Sequence, residues 1–365
     1  MIYRSLLDLV GDTPVVHLRS DADTALHGVN LFAKLEGYNP TGSSKDRPAA
    51  HILRKLLQSD EVDRTGAIIE SSSGNFGVAL AAVCRAEGLR FICVVDPLIT
   101  PHNRFLLAQY GAEIEMVDVR DDSGGYLKGR VARVQELVRK IPGACWINQY
   151  ANEGNAMAHY FGTGMEIYKA FVDHGLDYVF VPVSSGGTIA GVSRLLKKVF
   201  PDLVVVAVDA AGSVIFGGPA RRRFIPGMGS SRRPELLDSA QIDEVVVVDE
   251  EDSVRGCLTL LRHYGHYVGG SSGAAYHAAR QMFSRRGAVR TRTSRPGARR
   301  RERHEGYPNA LVIFPDRGDR YADTLFDQAW VRQTFPRITD YTATPEQRPS
   351  EAPPRGVVPD HGEAP

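Results

Sequence analysis

From residue 30 onward the chain alternates between two hydrophobic periods. Short apolar runs bounded by Gly, Pro or charge, such as "GVNLFAKLE", "GAIIESSS", "RFICVVD", "DYVFVPV", "LVVVAVDA" and "NALVIFPD", predict strands. Between them lie stretches with apolar residues at helical spacing: "KDRPAAHILRKLLQ", "GNFGVALAAVCRAEG", "PHNRFLLAQYG", "GYLKGRVARVQELVRKI", "AMAHYFGTGMEIYKAF" and "GTIAGVSRLLKKVF". "EIEMVDV" and "CWINQY" read as further strands. Short connections between such elements predict an α/β architecture, parallel sheets flanked by helices.

Two segments break this rhythm. Residues 284–308 are rich in arginine with Gly and Pro and lack apolar periodicity, which reads as a solvated insertion between a helix and the strand "NALVIFPD". Residues 336–365 are rich in Pro and poor in large apolar side chains, and are expected to be disordered. Composition narrows the function classes only slightly. The formal net charge of +1 over 365 residues exerts no global pull on nucleic acid or anionic membrane. The longest apolar runs have strand length, so no membrane span is expected, and "MIYRSLLDLVGDTP" does not read as a signal peptide. Cys84, Cys93, Cys145 and Cys257 are scattered without metal-ligand spacing, as structural thiols of a reducing cytoplasm would be.

The chemistry concentrates where strands give way to helices. In "NPTGSSKDRPA", Lys45 sits at a helix start with Ser43 or Ser44 as N-cap. The positive end of the helix dipole disfavours an ammonium there, and Arg47 adds to the push, so a neutral amine able to form an imine is expected. "SSSGNFG" (71–77) offers Ser72, Ser73, Gly74 and uncommitted backbone N–H groups to an anion such as a carboxylate, and Asn75 an amide to a phenolate; a capped tight turn explains it equally well. "VPVSSGGTIAG" (181–191) could close Gly-rich backbone around a phosphate. It could also belong to a dinucleotide site with Asp209 as the ribose acid, but the G-x-G-x-x-G spacing is absent. In "YVGGSSGAAY" (267–276) a serine can meet a ring nitrogen or cap a helix.

One ligand presents an aldehyde, a phenolate, a phosphate and a ring nitrogen together: pyridoxal phosphate. With these four motifs in this order, residues 3–335 resemble the cysteine synthase and cystathionine β-synthase family of fold type II pyridoxal-phosphate enzymes. That resemblance implies Lys45 as the catalytic Schiff-base lysine and Asn75 beside the ring oxygen. It implies Ser184, Ser185, Gly186, Gly187 and Thr188 as the phosphate cradle, and Ser271 facing the pyridine nitrogen. It also implies two α/β domains, a large one of residues 1–38 plus 147–335 and a small mobile one of 39–146, in a homodimer.

Departures from the common pattern, "SSSGNFG" and "SSGGT" among them, and stretches such as "GGYLKGR", "WINQYANEGN" and "IPGMGSSRRPE", narrow the resemblance further. They imply β-replacement on O-phospho-L-serine with L-glutamate as the incoming amine, the first step towards the 2,3-diaminopropionate of siderophores and peptide antibiotics. For two polyanionic partners, Ser72, Ser73, Gly74, Arg130, Gln149, Tyr150 and Ser184 are the expected substrate-binding residues, with Arg232 a further choice. The alternatives are a sulfhydrylase that makes cysteine and a catalytically idle cofactor- or partner-binding protein.

Overall fold

The computed structural model describes residues 2–3, 5–19, 26–59, 63–120, 125–286 and 306–339. The expected arginine-rich insertion and disordered tail lie mostly outside them. Their edges differ from expectation: residues 284–286 still belong to a helix, and Ile338 is buried against Leu325, Val331 and Phe335, so chain order runs past residue 336.

In chain order the elements are β1 (Val15–Leu18), β2 (Asn30–Leu35), α1 (Asp46–Gln58), β3 (Ile68–Ser71), α2 (Asn75–Glu87), β4 (Phe91–Val95) and α3 (Pro101–Gln109). There follow β5 (Glu113–Met116), α4 (Leu127–Lys140), β6 (Cys145–Trp146), α5 (Glu153–His159), α6 (Met165–Phe171), β7 (Tyr178–Pro182) and α7 (Gly187–Val199). The last are β8 (Val204–Ala210), β9 (Glu244–Val248), α8 (Glu250–Tyr264), α9 (Gly270–Arg286), β10 (Asn309–Phe314) and α10 (Gln328–Thr334). One turn of π-helix, Tyr160–Gly164, joins α5 to α6.

The strands form two sheets. One has the order β5-β4-β3-β6, all parallel; the other runs β1-β2-β10-β7-β8-β9, parallel except for the antiparallel edge strand β1. Burial follows position. β10 is buried along its whole length and β8 nearly so, because helices cover both faces, and both read as continuous apolar runs. Edge strand β9 alternates between half-buried and exposed residues over most of its length. "CWINQY" is strand only over Cys145–Trp146; Asn148 then takes a left-handed conformation (φ 54°) and turns the chain.

Beneath the start of α1 lies a buried charge cluster. Arg47 donates to Glu36 through Nε (2.6 Å) and Nη2 (2.8 Å), and to Glu166 through Nη1 and Nη2 (2.7 Å each). Lys34 donates to Glu166 at 2.6 Å, and Thr13 to Glu36 at 2.8 Å. Burial opposes ionisation of Glu166, yet Arg47 and Lys34 hold its pKa at about 2. Removing one member strands an uncompensated charge, at a cost of about 3–5 kcal/mol. Arg47→Met is therefore expected to lose about that much stability in urea unfolding; a loss below about 1 kcal/mol would mean that the cluster is solvated.

Candidate active site

Four helix starts carry the residues singled out above, and the residues between them connect all four. Lys45 stands at the N-cap position of α1 itself, so neither Ser43 nor Ser44 caps the helix as expected. Those serines are engaged by the chain that continues β10: the Ser44 N–H donates to the Pro315 carbonyl (2.8 Å), and Ser43 bridges to Asp316. Asp46 closes the loop by accepting from the Thr41 N–H (2.7 Å) and hydroxyl; burial pushes its pKa up to about 6. The Lys45 amine is shifted towards the neutral form chiefly by burial, against the pull of Asp316 and Glu36. Arg47 does not add to this push, contrary to expectation, because its guanidinium is committed to Glu36 and Glu166.

At the start of α2, Ser72 Oγ accepts from the Gly77 N–H (3.0 Å) and so caps the helix, while Gly74 occupies the N-cap. Ser73 Oγ accepts from the Asp96 N–H (3.0 Å) and from Arg130 Nη1 (3.3 Å). Asn75 Nδ2 donates to Asp316 Oδ2 at 2.7 Å, an oxygen that also receives the Tyr321 hydroxyl at 2.7 Å. Asp316 Oδ1 is buried and meets no donor among the described residues. The Asp316 carbonyl accepts from Gly269 N–H (3.2 Å), one residue before α9, where Ser271 lies buried in the first turn.

Between β7 and α7, Gly186 takes a left-handed conformation (φ 85°) that lets the chain swing directly into the helix. A Cβ on Gly187 would lie 2.1 Å from Asn155 Oδ1, so only glycine fits there. Asn155 Nδ2 donates to Ser185 Oγ (3.2 Å), and Thr188 Oγ1 lies 3.2 Å from His159 Nε2. His159 is held neutral by burial and by the charges of Lys45 and Arg47, and its Nδ1 lies 2.9 Å from Thr163 Oγ1. Ser184, at the cradle's outer edge, donates to the Gly229 carbonyl at 3.4 Å.

The remaining expected residues line the mouth. Gln149 Nε2 donates to the Ser71 carbonyl (3.2 Å), and its backbone N–H to Glu70 (3.2 Å). The Tyr150 ring carries the Arg232 guanidinium 4.6 Å from its centre, and the charges of Arg130, Glu70 and Arg223 also act on its hydroxyl. Arg130 lies 3.2 Å from Asp96. A cavity of about 700 Å³ behind Asp316, lined by Tyr38, Tyr267 and Arg317 among others, contains neither Lys45 nor Asn75 and is separate from this crevice.

Residues 6–293 match the family model described as "Pyridoxal-phosphate dependent enzyme". The chain belongs to this family. It is 43% identical over 337 residues to the N-(2-amino-2-carboxyethyl)-L-glutamate synthase of Cupriavidus metallidurans, covering 92% of this chain and 94% of that one. With the synthase of the same name from Ralstonia nicotianae it shares 44% over 331 residues, 91% and 92% of the two chains. Among solved structures it is similar to the O-acetylserine dependent cystathionine β-synthase of Helicobacter pylori (TM-score 0.78, 29% identity, 89% of this chain and 98% of that one). It is equally similar to O-ureido-L-serine synthase (TM-score 0.78, 28% identity, 90% and 96%).

Pyridoxal phosphate is the cofactor of this family, and the residues present fit it. The Gly186–Gly187 turn carries no side chain at the start of the 13-residue helix α7, whose N-terminus favours an anion. Lys45 offers an amine shifted towards neutrality, as imine formation requires. Asp316, His159, Asn155 and Glu70 were not among the residues expected from sequence. Asp316 had a visible signal, an acid just past a predicted central strand, where α/β sheets place their crevices. Nothing local marked His159, which lies inside a helical pattern.

Gly187→Val should weaken cofactor retention at least tenfold, measured by the visible absorbance that survives gel filtration; unaltered retention would place the phosphate elsewhere. Burial raises the pKa of Glu70 to about 7, against hydrogen bonds from Ser71, Gln149 and Trp146, from an ordinary 4.5. Being ionised costs more in the folded than in the unfolded chain, so this penalty is absent below pH 4.5 and complete above pH 7. The stability of the protein relative to Glu70→Gln should therefore fall as pH rises through that window in urea titrations. A flat difference would mean that the Glu70 carboxylate is hydrated.

Proposed function

We propose that this enzyme joins O-phospho-L-serine to L-glutamate with loss of inorganic phosphate, giving N-(2-amino-2-carboxyethyl)-L-glutamate, the first step of 2,3-diaminopropionate biosynthesis for a siderophore or peptide antibiotic. The observation that carries the reading is the Arg232 guanidinium stacked 4.6 Å over the Tyr150 ring, with the charges of Arg130 and Arg223 also acting on Tyr150. A leaving phosphate and an incoming amino diacid are both polyanions and call for such a lining, whereas sulfide does not. The names of the two curated synthases agree with it.

In this reading Lys45 is the catalytic residue. Bound pyridoxal phosphate would supply an electron sink that acidifies Cα of an amino acid joined to its aldehyde. Lys45 Nζ, shifted towards the neutral form by burial, takes the Cα proton and later returns it. The N–H groups of Ser72–Gly74 at the start of α2 hold the α-carboxylate. Asn75 would donate to the ring oxygen, Ser184, Ser185, Gly186, Gly187 and Thr188 would hold the cofactor phosphate, and Ser271 would meet the ring nitrogen. Arg130, braced by Asp96, takes the phosphate that departs with the electrons of the Cβ–O bond. Gln149 and Tyr150 close the side of the cleft where the glutamate nitrogen bonds to Cβ and gives up a proton.

We read residues 39–146 as a small unit that closes over the larger one, 1–38 plus 147–335, and excludes water from the reacting atoms. The contacts from Asn75 to Asp316 and from Arg320 to the Thr41 and Gly42 carbonyls, which run between the two, support this division. On the same reading the protein works as a cytoplasmic homodimer, and small-molecule amino acids are its partners rather than nucleic acid or membrane. Among the described residues no helix is long and apolar enough to cross a membrane.

Mass analysis of the products from phosphoserine with glutamate should show the adduct and stoichiometric phosphate. Arg130→Met should lower kcat/KM for phosphoserine tenfold or more, at least about 1.4 kcal/mol of lost binding. Rapid cysteine formation from sulfide with no glutamate adduct would overturn the proposal in favour of a sulfhydrylase.

A further inference from the structure

The three arginines at the mouth are not equivalent. Arg130 is 12% exposed, lies against Asp96 at 3.2 Å and donates to Ser73, so its charge is already part-balanced within the carboxylate-binding loop. Arg223 donates through Nη1 to the carbonyls of Gly212 (2.8 Å) and Ser230 (3.3 Å), with Asp209 and Glu250 nearby. It braces the loop between β8 and β9. Arg232 differs from both. No carboxylate among the described residues pairs with it, and its guanidinium lies over the Tyr150 ring at 4.6 Å; its Nε, like that of Arg130, is buried without a hydrogen-bond acceptor among them.

Its position is held from two sides. The Arg232 N–H donates to Ser230 Oγ (3.2 Å), and Gly229, one residue earlier, accepts from Ser184 at the cradle's edge and donates to the Val183 carbonyl (2.8 Å). Tyr150 belongs to the turn that Glu70 and Gln149 tie to the carboxylate-binding loop. Arg232 therefore spans the mouth from the cradle side to the substrate-loop side and presents an unbalanced, partly desolvated guanidinium. Stacking on an aromatic face fixes the plane of such a group while leaving its in-plane donors free for a planar, two-oxygen acceptor.

We infer that Arg232 is a specificity-determining residue that receives the side-chain carboxylate of the incoming amino acid, with Tyr150 as the platform that orients it. The inference rests on the function proposed above and assigns the two anions to different cations: the leaving phosphate to Arg130, the acceptor's distal carboxylate to Arg232. The recognised chemistry is an amino acid with a second, flexible carboxylate. Its neutral amide analogue would leave the guanidinium desolvated and unpaired, and so bind worse.

The test compares glutamate with glutamine as acceptor, in the holoenzyme supplied with phosphoserine, through the ratio of their kcat/KM values. The wild-type protein should prefer glutamate at least tenfold. Arg232→Gln should reduce that preference tenfold or more, chiefly through KM for glutamate, and Arg232→Lys should restore part of it. Should Arg232→Gln fail to take up cofactor, Tyr150→Leu, which removes the platform but leaves the charge, provides the second reading: it should raise KM for glutamate more than KM for glutamine. A glutamate preference unchanged within twofold in whichever variant holds cofactor overturns the inference while leaving the proposed function intact. A wild-type protein that forms no glutamate adduct at all overturns both.

Discussion

The site depends on where the charge of Glu36 is directed. Glu36 directly follows β2, nine residues before Lys45, and is fully buried. Left alone, a buried carboxylate so close would hold a proton on the lysine and remove its nucleophilicity. Arg47, two positions beyond Lys45, takes both Glu36 oxygens in a two-pronged pair and shares its remaining donors with Glu166. Glu36 still pulls on Lys45, but burial outweighs it. The same pair clamps the first turn of α1 to β2 and to α6, so the interaction that quiets the carboxylate also fixes where the lysine stands.

Asp316 does comparable work on the opposite wall. It accepts from Asn75 of α2 and from Tyr321, while its backbone engages Ser43 and Gly269. A single residue past β10 thus touches the loop before α1, the start of α2 and the approach to α9. Burial raises its pKa, against the charge of Arg320 and the hydrogen bonds from Tyr321 and Asn75. Whatever weakens its charge also weakens its pull on Lys45. Because Asn75 follows β3 of the four-stranded sheet and Asp316 follows β10 of the six-stranded one, their hydrogen bond also ties the two sheets together.

Much of this was legible in the chain. Hydrophobic period located the central strands and the helices from α1 to α7, with α5 and α6 read as one, since strands buried on both faces must be apolar throughout and amphipathic helices must repeat at 3.6 residues; β1, α8 and α10 went unread. The Gly-rich turn at 184–188 and Lys45 were visible because each marks a sharp entry into a helix, a feature written in local sequence. The cap at α1 was misread for a physical reason: Ser43 and Ser44 are drawn into pairing with residues 315–316, and nothing within the local sequence announces a partner so distant. Glu36, Glu70, His159 and Asp316 escaped notice for the same reason. Each acquires its role only when the sheets bring remote segments together, and an isolated acid or histidine in a sequence is more often a solvated side chain.

The turn after β6 shows how strain and polarity divide the labour at the mouth. Asn148 sits at φ 54°, a conformation that costs a non-glycine residue roughly 1 kcal/mol. It persists because its neighbours over-determine it: Asn152 donates to the Ile147 carbonyl (2.9 Å), the Asn152 N–H reaches the Asn148 carbonyl (2.9 Å), and Glu70 receives the Gln149 N–H. The left-handed residue sends adjacent side chains in opposite directions. Gln149 folds back onto the Ser71 carbonyl, and the Tyr150 ring lies beneath the Arg232 guanidinium. A relaxed, extended Asn148 would carry one of the two out of place, so the backbone strain is what lets a single short turn serve both the floor and the rim of the cleft.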